Sequence, residues 1–212
     1  MSSIRAVLFD ADGVIQNSSI EALSVRLKPI LGFVPEPFDA FLQHVLDAEG
    51  PAIAGQVDLV QALEPVLGNW GAPGKAAALA EAWWCTVEPD AAVLALIGKL
   101  RQRGIVCALA TNQHRFRADY MRQTFAYDSV FDHSFYSYQL RCAKPDLLYF
   151  QTLLATLPFA PAEVLFIDDL EKNVAAARSV GITAAQFIHP KSPAGAPALR
   201  ALLETFSLAV PD

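Results

Sequence analysis

Val7-Leu8-Phe9-Asp10-Ala11-Asp12-Gly13-Val14 sets an apolar run against two carboxylates two residues apart, with a glycine immediately after them. Residues i and i+2 of an extended chain point to one side. A strand ending here therefore delivers Asp10 and Asp12 to a shared side before Gly13 lets the backbone turn. Carboxylates this close repel, and burying both is costly without a compensating cation. A divalent metal is the simplest remedy, and all-oxygen ligation favours Mg2+. The plainer alternative is a strand-end turn in which the aspartates only cap backbone N–H groups.

Three further apolar, β-branched runs, at 105–110, 130–136 and 164–167, join the one at 4–9. Those at 4–9, 105–110 and 164–167 lack polar alternation, as strands buried on both faces of a parallel sheet do. Helical spacing lies between them. At 92–103, Val93, Leu96, Ile97 and Leu100 recur at three and four before Gly104. A helix is predicted over 145–155 with Pro145 as its first residue, and another over 173–180 ending at Gly181. Alternating strands and helices imply an α/β fold with a doubly wound, Rossmann-like parallel sheet, whose ligands bind at the carboxyl ends of the strands.

From about 17 to 88 this rhythm breaks. Helical patterns at 20–31, 38–49, 59–67 and 76–87 are separated by Pro35, Pro37, Gly50-Pro51, Gly68-Asn69 and Gly71, with no convincing strand. The division predicted is a core of 1–16 and 89–212 carrying an inserted helical cap, 17–88. A last amphipathic helix is expected over 198–209.

Polar residues end the other strands too. Thr111-Asn112-Gln113 closes the second, where a hydroxyl, amides and a helix start near Gln113 are suited to phosphate oxygens; capping is the competing use. Lys144-Pro145-Asp146 places an ammonium before a helix, able to meet a phosphate as a point charge, although Lys-Pro is also ordinary surface sequence. Asp168-Asp169 ends the 164–167 strand, with Asn173 four residues on. Each feature alone is ambiguous. Together they place a metal cage, a nucleophile, a phosphate clamp and a countercharge on one rim of one sheet.

Phe9-Asp10-Ala11-Asp12-Gly13-Val14, Thr111-Asn112, Lys144-Pro145 and Phe166-Ile167-Asp168-Asp169 resemble, in order and spacing, the four motifs of the haloacid dehalogenase-like hydrolase superfamily. The insert stands where that superfamily carries its C1 helical cap (subfamily I). The resemblance extends to its sugar-phosphate phosphatases and epoxide-hydrolase N-terminal-domain phosphatases. It implies a Mg2+-dependent phosphatase acting on a small organic phosphate monoester. Asp10 would be the nucleophile forming an aspartyl-phosphate, and Asp12 the general acid/base. Thr111, Asn112 and Lys144 would hold the phosphate. The metal would be held by Asp10, the backbone carbonyl of Asp12 and Asp169, with Asp168 as a ligand or a partner just behind. Members that cleave carbon–halogen bonds lack an aspartate at position 12, so Asp12 favours phosphate esters. A phosphomutase on the same core, and a non-catalytic protein with this fold, are the alternatives. A signalling receiver domain shares the residue types but is about half as long and has no such insert.

Composition narrows the classes further. Apolar residues make up 53% of the 212 residues, enough for a sizeable core. The net charge of −6 and the absence of a Lys/Arg run argue against nucleic-acid or membrane-surface binding. Cys85, Cys107 and Cys142 have no CxxC spacing, so neither a disulfide framework nor a zinc site is predicted. No leader or membrane span is recognised, and a cytoplasmic location is the expectation. Arg26 and Lys28 are the only early cations of the cap, which favours a substrate with one phosphate. Trp70, Trp83 and Trp84 are expected to pack the cap, and no role is given to His44, His114, His133 or His189. These residues specify no oligomeric state.

Overall fold

The structure is a computed structural model that describes residues 3–18, 20–84, 86–190 and 193–210; of Ile20, Glu21, Ala22 and Trp84 it describes the backbone. Cys85 and the Trp84 side chain, both read above, lie outside the described residues. In chain order, strand β1 (Ala6–Phe9) leads through β2 (Gln16–Ser18) into four helices: α1 (Ile20–Leu31), α2 (Phe38–Ile53), α3 (Leu59–Asn69) and α4 (Ala76–Trp84). The chain returns by β3 (Val87–Pro89) to α5 (Ala91–Gln102) and β4 (Val106–Thr111). Then come α6 (Arg115–Phe125), α7 (Tyr127–Val130), β5 (His133–Tyr136), α8 (Ser137–Leu140) and α9 (Leu147–Thr156). The remainder is β6 (Val164–Asp168), α10 (Glu171–Ser179), β7 (Thr183–Gln186) and α11 (Gly195–Thr205).

Five parallel strands form the sheet in the order β5-β4-β1-β6-β7. The unalternating apolar runs are explained by two cores. Val7, Phe9, Cys107, Leu109, Leu165 and Ile167 face one helical layer, where α5 and α11 contribute Leu96, Ile97, Leu199 and Leu203. Their sequence neighbours Ala6, Leu8, Ala108, Ala110, Val164 and Phe166 face the other, with Tyr149, Phe150 and Leu153 of α9 and Val174 and Ala177 of α10. Period-two geometry thus sends alternate residues into opposite cores. Full burial of a side chain such as Phe9 or Phe166 is worth about 1.5–3 kcal/mol.

Register positions the site. Phe9 pairs with Leu109 on one side and Ile167 on the other, and Asp10 N donates to Ile167 O at 2.9 Å. Asp10 therefore leaves β1 level with Asp168, the residue after Ile167. The chain winds outward through β4 and β5 and then crosses back to β6 on the other side of β1. β1 is thus where the strand order reverses, the place where such sheets bind ligands.

Helices α1–α4 enclose a third core of their own, including Leu23, Leu27, Phe41, Val45, Leu63, Leu67 and Leu79. Trp70 and Trp83 pack against it, and Trp70 also donates through Nε1 to His44 Nδ1 at 3.0 Å. The antiparallel pair β2–β3 forms the two crossings between this helical cap and the sheet. Among the described residues, no helix is long and apolar enough to cross a membrane.

Several boundaries differ from expectation. The run at 130–136 is split: α7 takes Val130, a turn follows, and pairing begins only at His133. Pro145 is not the first residue of its helix. Asp146 caps α9, accepting from Leu148 N at 2.9 Å, and so leaves Lys144 on a free-standing loop. α6 begins at Arg115 with His114 as its cap, two residues later than expected. The last helix starts at Gly195, three residues earlier than expected. β7 was not anticipated; its Thr-Ala-Ala-Gln sequence carries too little apolar bulk to announce a strand.

Candidate active site

Asp10 is buried at the end of β1. Its Oδ1 accepts from Ala11 N at 2.7 Å and lies 2.9 Å from Lys144 Nζ. The same ammonium donates to Asp168 Oδ2 at 2.6 Å and to the Ala110 carbonyl at 2.8 Å. All three of its donor positions thus meet oxygen. Burial alone would pull Lys144 down, but Asp10 and Asp168 outweigh it and hold the amine above its ordinary value. Burial pushes the Asp10 carboxyl upward; Lys144 opposes that, while Asp168 and Asp12 add to it. A cation beside Asp10 would act in the direction of Lys144.

Both ends of the Asn112 amide engage the backbone of Lys144. Its Nδ2 donates to Lys144 O at 2.9 Å and its Oδ1 accepts from Lys144 N at 2.9 Å. The side chain thus clamps the backbone of the loop that carries the ammonium. Thr111, buried on β4, has its hydroxyl 3.2 Å from the Gln113 amide.

Asp10, Asp168 and Asp169 offer oxygens that all lie within 4.8 Å of one another. They are not equivalent. Asp168 Oδ1 accepts from Leu170 N and Asn173 Nδ2, both at 2.9 Å, and Oδ2 takes Lys144 and Asn173. Asp169 is half-buried with its carboxylate against Gly13. Gly13 has φ +72°, and a Cβ there would stand 2.7 Å from Asp169 Oδ2. The turn after β1 needs glycine both for its backbone conformation and for that approach.

Asp12 faces a different set of donors. Oδ1 accepts from Arg117 Nη2 at 2.6 Å and Gln16 Nε2 at 3.0 Å, and Oδ2 accepts from Gln113 Nε2 at 2.9 Å. Counting Asp10, Asp12, Asp168 and Asp169 against Lys144 and Arg117, the ionised network is short of two positive charges. Hard oxygens with that deficit fit a divalent cation of the magnesium kind.

The cap reaches this network through Glu49 of α2, whose Oε1 lies 3.4 Å from His114 Nε2. Burial pushes Glu49 from its ordinary 4.5 up to about 7; Arg117 opposes the rise and Asp12 adds to it. Burial and then Arg117 press His114 down to about 3, so its ring is neutral. Its Nδ1 accepts from Arg117 N at 3.3 Å, which assigns the ring proton to Nε2, facing Glu49. Nearby, Ser137 Oγ donates to Ile53 O at 2.7 Å, and Arg115 pairs with Asp58 at 3.0 Å.

All the motif residues therefore meet at one sheet edge. Gln16, Gln113, Arg117 and Glu49 join them without having been singled out for it. Gln113 was read as a strand-end amide beside a helix start, suited to phosphate oxygens, and not as a partner of Asp12. The sequence signal that could have found this second group is an arginine on the buried face of α6, beside Ala118 and Met121.

Comparison with known proteins identifies the family and the fold. The family model for haloacid dehalogenase-like hydrolases matches residues 4–181. The chain belongs to that family. Its fold is shared by a haloacid dehalogenase family enzyme of Bacteroides thetaiotaomicron, at 22% identity and a TM-score of 0.79 over 91% of this chain and 98% of that one. The same Bacteroides enzyme in complex with magnesium and inorganic phosphate gives 0.76 at 23% identity, over 90% and 96%. L-2-haloacid dehalogenase of Xanthobacter autotrophicus gives 0.65 at 20% identity, over 99% and 89%. Among curated family relatives, sesquiterpene phosphatase astK of Aspergillus oryzae is 31% identical over 114 residues, 53% of this chain. The match spans 58% of that relative, little more than half its length.

Proposed function

We propose that this hydrolase is a magnesium-dependent phosphatase that cleaves a small organic phosphate monoester through an aspartyl-phosphate on Asp10. The observation that carries the reading is the Asp10 carboxylate on Lys144, inside a cluster of three carboxylates at one strand-end rim. Asp10 attacks phosphorus in line with the ester oxygen. Lys144 tempers the repulsion between that carboxylate and the incoming dianion, and Thr111 supplies a hydroxyl to the phosphoryl oxygens. Asp12 protonates the leaving oxygen, then takes a proton from the water that attacks the intermediate.

Asp10, Asp169 and the carbonyl of Asp12 would hold the metal, while Asp168, bound on both oxygens, orients Lys144 behind them. Bound magnesium supplies positive charge to the equatorial phosphoryl oxygens. The helical cap closes over the site and excludes water. Asn112 acts on phosphate through Lys144.

A dehalogenase is the second reading, raised by the haloacid dehalogenase-like family to which the chain belongs. Asp12, held by three side-chain donors, weighs against it, because halide departs without a proton. The relative named as a sesquiterpene phosphatase puts terpenyl monophosphates beside sugar and polyol phosphates as substrates to try.

A panel of phosphate monoesters assayed for released phosphate tests the reading, with Asp10→Asn and EDTA as controls. Turnover that depends on both Asp10 and the metal is expected. Phosphate release that survives either control contradicts the mechanism. Conversion of a sugar phosphate to its isomer without phosphate release identifies a mutase.

A further inference from the structure

Arg117 lies on the buried face of α6, where a guanidinium has left water for a carboxylate. Its Nη2 reaches Asp12 Oδ1 at 2.6 Å, a short charge-assisted bond. Gln16 donates to the same oxygen and is itself fixed by the Tyr127 hydroxyl, which donates to Gln16 Oε1 at 2.8 Å. Oδ1 thus has two donors and Oδ2, among the described residues, only the Gln113 amide. A carboxylate oxygen accepts at two positions, so Oδ1 is filled and Oδ2 keeps one open. The Asp12 side chain is 35% exposed and that of Arg117 only 9%; the accessible edge of the pair is the carboxylate's. Arg117 Nε is buried with no hydrogen-bond partner among the described residues. A buried arginine with a packing role alone normally has its donors satisfied. Here one goes without while Nη2 stays on Asp12.

We propose that Arg117 is a positioning residue, pinning Oδ1 of Asp12 so that Oδ2 faces the leaving-group oxygen and transfers the proton there. The inference rests on the acid/base role proposed for Asp12. As the Asp10 oxygen–phosphorus bond forms, the ester oxygen–phosphorus bond breaks and its electron pair stays on the leaving oxygen. That oxygen takes the proton from Oδ2, giving the alcohol and ionised Asp12. In the second displacement water bonds to phosphorus, its proton passes to Oδ2, and Asp10 is released with inorganic phosphate.

Leaving-group dependence tests the proposal, because p-nitrophenolate departs without a proton and an alkoxide does not. The reading is kcat/KM, which reports aspartyl-phosphate formation, for p-nitrophenyl phosphate and glycerol 3-phosphate with Mg2+. Arg117→Met is expected to lower the alkyl value about 30-fold and the aryl value less than about threefold. Arg117→Lys, which restores a cation, is expected to recover part of the alkyl loss. The double variant with Asp12→Asn should be no worse than Asp12→Asn alone. Equal losses on both substrates, in whichever Arg117 variant folds, would overturn the inference, as would additive losses in the double variant. If Asp12→Asn itself fails to discriminate the substrates, the acid/base reading falls. If Asp12→Asn discriminates and the Arg117 variants do not, only the positioning role falls.

Discussion

Gly13 of the turn after β1 lies directly beneath the Asp169 carboxylate, so that motifs more than 150 residues apart in the chain meet without a side chain between them. A methyl group at position 13 would stand 2.7–2.9 Å from Oδ2, Cγ and Cβ of Asp169 in a backbone conformation of φ +72°. Gly13→Ala is therefore expected to displace the carboxylate and to strain the turn by about 1–2 kcal/mol. Calorimetric titration should find Mg2+ affinity reduced about tenfold or more, corresponding to about 1.4 kcal/mol. Unchanged affinity would show that Asp169 does not hold the metal.

Lys144 is the only cation in contact with Asp10 and Asp168 among the described residues. Lys144→Met leaves two buried carboxylates facing each other, and removing one partner from a buried ion pair costs about 3–5 kcal/mol. Denaturant unfolding of the metal-free protein should show a loss of that order, partly recovered in Mg2+. A variant as stable as the parent would mean that the carboxylates take up a proton at little cost.

Four carboxylates against two cations also make stability depend on the metal. A ligand that binds only the folded state adds about 2.7 kcal/mol at one hundred times its Kd. Saturating Mg2+ should raise Tm by several degrees, about 2–4 °C per kcal/mol for a chain of this size. Asp169→Asn should abolish most of that rise while leaving the Lys144–Asp168 pair in place. An equal Mg2+ shift in the variant would place the ion elsewhere.

Much of this was legible in advance, for reasons that can be located. β1, β4 and β6 are buried on both faces, so their apolar runs are unbroken, and the polar residues ending them necessarily fall on one rim. Asp10, Thr111, Asp168 and Asp169 were visible because each stands at such a stop, and Lys144 because it precedes a proline and an expected helix. Contacts made to Asp12 and its neighbours by residues distant in the chain were not visible. Gln113 and Arg117 lie 101 and 105 residues from Asp12, and Glu49 comes from a helix whose pattern advertises only the cap's own core. Asn112 was legible as a polar residue at a strand end, but its clamp on the Lys144 backbone is a tertiary contact that no local pattern encodes. β2 and β3 escaped notice because three-residue strands carry no period, and Pro89 further disguises β3.

Glu49 gives the molecule a pH dependence of its own. Glu49 is buried on α2, where it helps to line a small apolar cavity with Val45, Leu59, Leu63, Leu79, Ala80 and Trp83, and burial disfavours ionisation. Arg117, Asp12 and the neutral His114 are the charged and titratable groups that face it. Folded, Glu49 loses its proton near pH 7; unfolded, near its ordinary 4.5. Below pH 4.5 both states hold the proton and nothing is lost. As pH rises from there the unfolded chain ionises first, so stability declines, and above pH 7 the loss is complete. The gap, at about 1.4 kcal/mol per unit, sets an upper limit of about 3.5 kcal/mol. Glu49→Gln cannot ionise and should not show this decline. Its stability relative to the parent is expected to rise between pH 5 and pH 8, by up to that amount in urea unfolding. A difference that stays flat across the range would show that Glu49 is ionised at pH 5 in the folded protein, held there by Arg117.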